Sequence, residues 1–486
     1  GSEMCIRDRF LSVSFYSSDI TGTTYQPSEI VLQCKKVFKN IIAYDKFDFD
    51  GKKESMYALR PAFDTVADMI GKGKKVPESL LGIFAQNPEY SAKLDSLINA
   101  KDRVPFKIFD KKNAEKLFGK NLNISASQLE KFNLCRFSYF CNYGLNVRER
   151  QRAEINPMQY GTIVHYILER FFGEYTKEEY LSLEEDKFQK IVCAYLAEYA
   201  VKYFGEEQLE SNSFTYRLKT ILDNVMYLMK HIMEELSQSE FFVADCELKI
   251  GEDIPSYTIV LPDGHKIAVC GSVDRVDIMQ RADITYLRII DYKTGTKQFK
   301  LSDILYGINL QMLLYLHSIE ASGGDKYGEI VPAGILYMPA TVPYISSDSL
   351  KSIDKLPDEL NKKLKMNGLL LKDTEIIHGM DKTDVATYIP VKIKAGEPVS
   401  STSLATLAEF GKIFKKVDML IAEMGKNIYN GNIEAKPLKG GHDSCEYCPY
   451  DSVCAYRQSN PITCFSVDNK TVIEEITNEI NGKEEE

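Results

Sequence analysis

The chain has 486 residues, 44% of them hydrophobic and 27% charged, with a formal net charge of −10. That length exceeds one ordinary core and sets an expectation of two or three domains in a soluble globular protein. No apolar run approaches the ~18 residues of a membrane span, no secretory leader is visible, and the negative balance excludes a surface coated in nucleic-acid-binding charge, though not a local basic groove. Eleven cysteines without an export signal point to a reducing cytoplasm, and to ligand or buried thiols rather than disulfides.

In chain order, Phe10 to Tyr16 reads as a strand and Gln26-Pro27-Ser28-Glu29-Ile30 as a helix start. Amphipathic helical patterns follow at 58–71, 77–85 and 88–99. No G-x-x-x-x-G-K-[ST] run occurs, so a P-loop ATPase is not encoded in these residues. Ser127 and Glu130 form an S-x-x-E pattern expected to start a helix carrying Phe132, Cys135 and Phe140. Arg148, Arg150 and Arg152 make a short basic cluster, a pattern more often a solvated face than a phosphate contact. Asn156-Pro157 reads as an N-cap with proline at the first helical position, and the helix runs through Gly161 and His165 to about Phe172. Gly161, one turn before His165, leaves room for another backbone to approach. A lone helical histidine is ordinarily structural; His165 becomes a metal-ligand candidate only through the carboxylates met further on. Residues 177–240 read as long helices whose apolar stripes are core.

From Phe241 the period switches to two. Segments 241–250, 257–261, 267–279 and 284–292 set the expectation of a four-stranded antiparallel meander, with a polar turn at Gln280–Asp283. Gly271-Ser272-Val273-Asp274-Arg275 lies on the third strand and Ile289-Ile290-Asp291-Tyr292-Lys293-Thr294-Gly295 ends the fourth. Alternation sends Asp291 and Lys293 to the face of Leu287 and Ile289, and Tyr292 to the other. Asp274 is within reach if the two strands pair. Two carboxylates can hold a divalent cation that activates water, and an ammonium beside them can stabilise a pentavalent phosphate. The bland alternative is a surface ion pair at a strand end. Glu247, on the first strand, is a further candidate for the acidic cluster, although glutamates on strands are commonplace.

Ser302-Asp303 is expected to cap a helix to about Ser318, with Leu305, Ile308, Met312, Leu316 and Ile319 as core. Gln311 and Tyr315, at i and i+4, share an adjacent face directed at the strand ends. An apolar strand (Ala333 to Tyr337) is followed by a polar, Lys-rich stretch over 351–398, a long helix from about Leu404 to Tyr429, and a loop from Lys436 to His442. The loop leads into Cys445, Cys448 and Cys454, a C-x2-C-x5-C pattern. Thiols so close together in a loop normally hold metal, and Cys135, Cys141, Cys464 and His442 are the candidates for a fourth ligand. Spacing alone does not separate zinc from an iron–sulfur cluster. The acidic end, Thr471 to Glu486, is expected to fray.

Taken together, G-x-x-x-H at 161–165, G-x-V-D-R at 271–275, I-D-Y-K-T-G at 290–295 and Q-x-x-x-Y at 311–315 resemble the RecB-type branch of the PD-(D/E)XK nucleases. The run S-x-S-x-L-E-x-F-x-x-C at 125–135 and the terminal C-x2-C-x5-C narrow the resemblance to the iron–sulfur nuclease domain of AddB-type subunits of bacterial AddAB helicase–nucleases. It is specific from about Ile124 to Arg457. The resemblance implies a mixed α/β fold with a restriction-endonuclease-like core, a central mixed sheet flanked by helices. A mostly helical, helicase-like remnant would occupy 1–120, the nuclease domain 121–465, and a disordered acidic tail 466–486.

The same resemblance implies His165, Asp274 and Asp291 as side-chain ligands of Mg2+ or Mn2+, with the Tyr292 carbonyl beside them. It gives Lys293 the role of positioning or activating the attacking water and stabilising charge on the phosphate. Gln311 and Tyr315 would complete the site or contact the DNA strand. Cys135, Cys445, Cys448 and Cys454 would ligate a [4Fe-4S] cluster. Two departures stand out: Cys135-Arg136 replaces the usual Cys-Pro, and the much longer family protein carries an amino-terminal nucleotide-binding motif that these residues lack. The expectation is a metal-dependent DNA exonuclease, cutting the 5′-ended strand beside an AddA-type helicase–nuclease partner during repair of double-strand breaks by recombination. The alternatives are a catalytically silent DNA-end-binding scaffold with a structural cluster, and a zinc-stabilised binding module.

Overall fold

A computed structural model describes residues 4–7, 10–13, 26–38, 58–71, 74–99, 107–108, 110–148, 157–205, 211–295, 298–342, 356–400, 402–454, 456 and 461–484. The chain divides into two compact units, 1–104 and 105–486. Arg150, Arg152 and the Asn156 cap lie outside the described residues. In the first unit, strands β1 (Met4–Arg7) and β2 (Phe10–Val13) pair antiparallel. Helices α1 (Glu29–Val37), α2 (Leu59–Gly71), α3 (Glu78–Gln86) and α4 (Ser91–Asn99) follow. The apolar stripes of α2 to α4 meet around Phe63, Phe84 and Tyr90, with Phe63 and Phe84 edge-to-face at 5.2 Å.

The second unit begins before residue 120, the boundary expected from sequence. Helix α5 (Lys111–Phe118) belongs to it, and Tyr429 donates from its hydroxyl to the Gly119 carbonyl at 3.1 Å. After β3 (Asn121–Ile124), helix α6 (Ala126–Leu134) is opened by a capping box of Ser125 with Gln128, two residues before the expected Ser127–Glu130 pair. Glu130 instead accepts the Leu310 N–H at 2.8 Å. Nor does the helix continue to Phe140: Cys135 is extended (φ −168°, ψ 118°) and turns the chain into α7 (Arg136–Tyr139) and a π-helical turn, Phe140–Gly144. Helices α8 (Pro157–Glu174), α9 (Lys177–Leu181), α10 (Glu185–Phe204) and α11 (Asn212–Ser237) then stack their apolar faces.

The expected four-stranded meander is divided between two sheets. β4 (Phe242–Ile250) pairs antiparallel with β7 (Gly271–Arg281), while β5 (Thr258–Val260) and β6 (Lys266–Val269) form a hairpin that joins β3. The change of sheet falls at Cys270, whose N–H donates to the Ile124 carbonyl at 2.8 Å. At the next residue the backbone passes so close to Tyr315 that a Cβ on Gly271 would collide with its hydroxyl. β8 (Ile284–Lys293) returns antiparallel to β7.

The expected helix from Ser302 is interrupted. A 3-10 turn, Leu301–Tyr306, ends in left-handed Gly307, Asn309 also has positive φ, and α12 (Gln311–Ser322) starts afresh. After α13 (Gly324–Tyr327), β9 (Glu329–Pro339) runs parallel to β8. The Lys-rich stretch is more structured than its polarity predicts. It holds α14 (Leu356–Leu364), β10 (Asn367–Leu371), α15 (Thr374–Met380), and the hairpin of β11 (Lys392–Lys394) with β12 (Glu397–Val399). Leu369, Leu370, Ile377 and Met380 are buried there, enough apolar burial to outweigh the flanking lysines.

With β13 (Leu404–Ala405) the main sheet has six strands in the order β13-β10-β9-β8-β7-β4. α16 (Leu407–Tyr429), capped by Thr406 with Glu409, packs against α12. β14 (Leu438–Gly440) and β15 (Ile462–Cys464) pair parallel beyond it. The carboxy-terminal segment, expected to be disordered, is helix α17 (Asn469–Glu484): Val472 and Ile476 are fully buried, and Glu479 pairs with the buried Lys416. Its acidic composition hid a narrow apolar stripe.

One face of the main sheet carries a charged cluster with no access to solvent. Arg275 and Arg288 are 0% exposed. Arg275 donates to Asp277 (2.6 Å) and Glu235 (3.1 Å), and Arg288 to Glu235 (2.6 Å) and Asp277 (3.0 Å). Glu235 comes from α11, so the cluster binds that helix to β7 and β8.

Candidate active site

Strand register assembles the site on the opposite face. Arg275 pairs with Ile290, so Asp274 stands level with Asp291. Glu247 falls between the pairs Cys246–Arg275 and Leu248–Val273, which sets it opposite Asp274; on the other side Asp291 pairs with Tyr337. A row Glu247, Asp274, Asp291, Tyr337 therefore crosses four adjacent strands. Glu247 holds a positive φ of 51°, a conformation a non-glycine residue keeps only where its surroundings enforce it.

Helix α8 brings His165 to this row. Its Nδ1 is 3.0 Å from Glu247 Oε1 and its Nε2 3.7 Å from Asp274 Oδ2. Ser272 donates to the other Glu247 oxygen at 2.7 Å, and the Tyr292 N–H donates to Asp274 Oδ2 at 3.0 Å. Ligand atoms of His165, Glu247 and Asp274 all lie within 4.8 Å of one another, a spacing one cation can bridge. Lys293 Nζ sits 2.5 Å from Asp291 Oδ2 and 5.7 Å from the Tyr337 ring centre.

The electrostatics favour a bound cation. Burial and the neighbouring Asp291 charge push Asp274 up to about 7, against the pull of His165 and the Tyr292 amide. Burial lowers His165, but its bond to Glu247 and the Asp274 charge more than compensate, and the imidazole is raised. Glu247 is lifted by burial and brought below its ordinary value by His165 and Ser272. Carboxylates crowded in low dielectric cannot all ionise unless positive charge joins them.

Of the residues singled out from sequence, His165, Asp274, Asp291 and Lys293 converge here. Glu247 joins them through its direct bond to the imidazole, and with His165 and Asp274 it makes the group compact enough to share one cation. Tyr315 is buried behind Gly271, its phenol pushed up to about 12 first by burial, with the Asp274 and Asp291 charges adding to the rise. Gln311 opens α12 and is half-buried. Gly161 does not admit a backbone: an added Cβ would meet only the Thr294 methyl, at an ordinary 3.7 Å. Ser272 and Tyr337 were not singled out. Ser272 shares the face of Asp274 by period two, a readable signal, whereas Tyr337 enters through a parallel pairing that no local pattern announces.

A second centre gathers thiols. Cys135 and Cys141 are buried with Phe137 and Tyr450, and Cys448 and Cys454 pack against them. Burial pushes the Cys135 thiol up, while backbone amides of Ser138, Phe137 and Lys436 hydrogen-bond its sulfur and favour the thiolate. Cys445 and Cys448 act electrostatically on Cys454. The other two fourth-ligand candidates lie elsewhere: Cys464 packs with Ile308 and Leu438, and His442 Nε2 is 3.7 Å from Asp303. The cysteines among the described residues are all free thiols.

Carboxylates level on adjacent strands, a lysine two residues beyond one of them, and a histidine from a preceding helix define a class. The sequence profile of the PD-(D/E)XK nuclease superfamily matches residues 123–455, and the chain belongs to that superfamily. More particularly, it is similar to the B subunits of three ATP-dependent helicase/deoxyribonucleases. It is 31% identical over 512 residues to that of Clostridium kluyveri (strain NBRC 12016), covering 99% of this chain and 44% of the relative. For Thermoanaerobacter sp. (strain X514) the values are 30% over 473 residues, 92% and 41%, and for Clostridium botulinum (strain Loch Maree / Type A3) 32% over 480 residues, 94% and 42%. The chain thus spans less than half the length of these relatives. No described helix is long and apolar enough to cross a membrane.

Proposed function

We propose that this chain is a metal-dependent deoxyribonuclease module that hydrolyses the phosphodiester backbone of a DNA strand. The observation that carries the reading is the row of Glu247, Asp274 and Asp291 with His165 bonded to its first member and Lys293 to its last. His165, Glu247 and Asp274 would hold Mg2+ or Mn2+, with Asp291 and the Tyr292 carbonyl adjoining. A cation bound there supplies a polarised water and neutralises phosphate charge. Lys293 places its ammonium against the phosphate oxygens as their charge grows, and Asp291 holds that ammonium in position. Tyr315, packed against the start of β7, fixes the strand that presents Asp274; Gln311, half-exposed at the start of α12, contacts the DNA strand.

Cys135, Cys445, Cys448 and Cys454 are assigned to a [4Fe-4S] cluster. Amide donors at Cys135 suit a cluster sulfur. Tetrahedral zinc draws its sulfurs to about 3.8 Å from one another. Among the described residues no three cysteine sulfurs lie within 4.8 Å, a spread that favours the larger cluster. The relatives' printed name supports a helicase-bearing complex, so the module acts with an AddA-type partner on the 5′-ended strand of an unwound DNA end, in break repair.

The test is Mg2+-dependent cleavage of labelled single-stranded DNA by anaerobically purified chain, alone and with the AddA-type partner, beside Lys293→Ala. We expect the substitution to lower the rate by about 10²–10³-fold while the metal still binds. Equal cleavage by the variant, or none by the wild-type complex, would overturn the reading in favour of a silent scaffold.

A further inference from the structure

The assigned cluster uses Cys135 and the three cysteines of the carboxy-terminal loop, and leaves Cys141 without a role. Cys141 is only 4% exposed and shares one buried group with Cys135, Phe137 and Tyr450, against which Cys448 and Cys454 also pack. Its thiol is pushed up to about 11, first by burial and then by Cys454, Cys448 and Cys135, which places those sulfurs within electrostatic reach of it. An ordinary buried cysteine packs among hydrocarbon; this one packs among thiols.

Its backbone is also held there independently of Cys135. Cys141 lies in the π-helical turn Phe140–Gly144, a widened coil of the kind that recurs at functional sites. The Cys141 carbonyl accepts the Val147 N–H at 3.0 Å, and the Val147 carbonyl accepts the Tyr450 hydroxyl at 2.7 Å. Tyr450 belongs to the loop between Cys448 and Cys454, and the Cys454 N–H donates to the Tyr450 carbonyl at 2.9 Å. A short chain of hydrogen bonds therefore fixes Cys141 to the thiol loop itself. Cys135 reaches the same place through a different segment, the break between α6 and α7, and through the Lys436 amide.

We infer that Cys141 is a reserve ligand of the iron–sulfur cluster, competent to take the corner held by Cys135 when that thiolate is lost. The inference rests on the cluster reading given above. The exchange is a ligand substitution without change of oxidation state. A Cys135–iron bond is absent or broken, the Cys141 S–H bond gives way to an S–Fe bond, and the proton passes to solvent.

The experiment uses the full chain, reconstituted anaerobically with iron and sulfide. Iron and acid-labile sulfide per chain and visible absorbance are read for the wild type, Cys135→Ala, Cys141→Ala and the double variant. The expected result is about four irons in the wild type and in Cys141→Ala. Cys135→Ala should keep most of that iron with an altered electron paramagnetic resonance spectrum on reduction, and the double variant should lose it. Iron loss in Cys135→Ala equal to that in the double variant would overturn the inference while leaving the cluster standing. A wild type that takes up zinc and no iron would overturn both. Circular dichroism establishes that each variant is folded. If Cys135→Ala is not, Cys135→Ser, which keeps an acceptor for the three amides, carries the comparison against Cys135→Ser combined with Cys141→Ala.

Discussion

His165 and Glu247, 82 residues apart, meet at 3.0 Å between Nδ1 and Oε1. The contact joins a helix preceding the sheet to the sheet's edge strand, and makes Glu247 a partner in the site rather than a bystander. A helical histidine and a strand glutamate are each commonplace. Their junction beside Asp274 is what carries information.

Glu247→Ala should therefore weaken divalent-cation binding by about 10–100-fold, the range found when a metal site loses a partner group. Calorimetric titration with Mn2+ reads this directly. An unchanged affinity would return Glu247 to the role of a structural hydrogen-bond acceptor for His165 and Ser272.

The buried cluster on the other face predicts a loss of stability separable from chemistry. Asp277→Asn removes a charge facing both Arg275 and Arg288, neither exposed to solvent, and leaves guanidinium charge under-compensated. Breaking a buried ion pair from one side costs about 3–5 kcal/mol. Denaturant unfolding of the variant should show that loss with little change in the slope of the transition, and a cost below ~1 kcal/mol would mean that water reaches the cluster.

Stability should also fall in mild alkali through His317. Burial pulls its imidazole down, but Asp418, 3.0 Å from Nε2, and Glu320 more than offset this and lift it to about 9. Tyr257 donates to the same Asp418 oxygen, and Phe414 stacks on the ring at 4.7 Å. Because the folded value exceeds the unfolded one of about 6.5, the contribution is complete below about pH 6.5 and disappears as pH rises through about 9. Melting of the wild type between those limits, compared with His317→Gln, should show a loss on the order of 2 kcal/mol confined to the wild type, after allowance for solvent around Asp418. Parallel pH profiles would remove His317 from the account.

Much of the site was legible because its residues sit in short runs. Period two placed Asp291 and Lys293 on one face, and the pairing of β7 with β8 needed only adjacency in sequence. What sequence did not reveal depends on distant partners. β4 pairs with β7 across an inserted hairpin, and Tyr337 reaches Asp291 through a crossover. Helix starts failed where two cap patterns overlapped: Ser125-x-x-Gln128 won over Ser127-x-x-Glu130 because β3 ends at Ile124, and Glu130 found a use at Leu310. The polar stretch and the tail misled because charged residues outnumber the few apolar ones that choose the buried face.

Arg275 directly follows Asp274, and the two side chains leave β7 on opposite faces, the arginine into a sealed cluster of carboxylates and the aspartate toward His165. A strand slipped by one residue would exchange them, driving a guanidinium among the metal ligands and a lone carboxylate in among Glu235 and Asp277. Either misplacement is prohibitive in low dielectric. The sealed cluster thus works as a proofreading device for pairing: misaligned versions of the sheet are electrostatically excluded, so any molecule that folds at all presents its carboxylates in line.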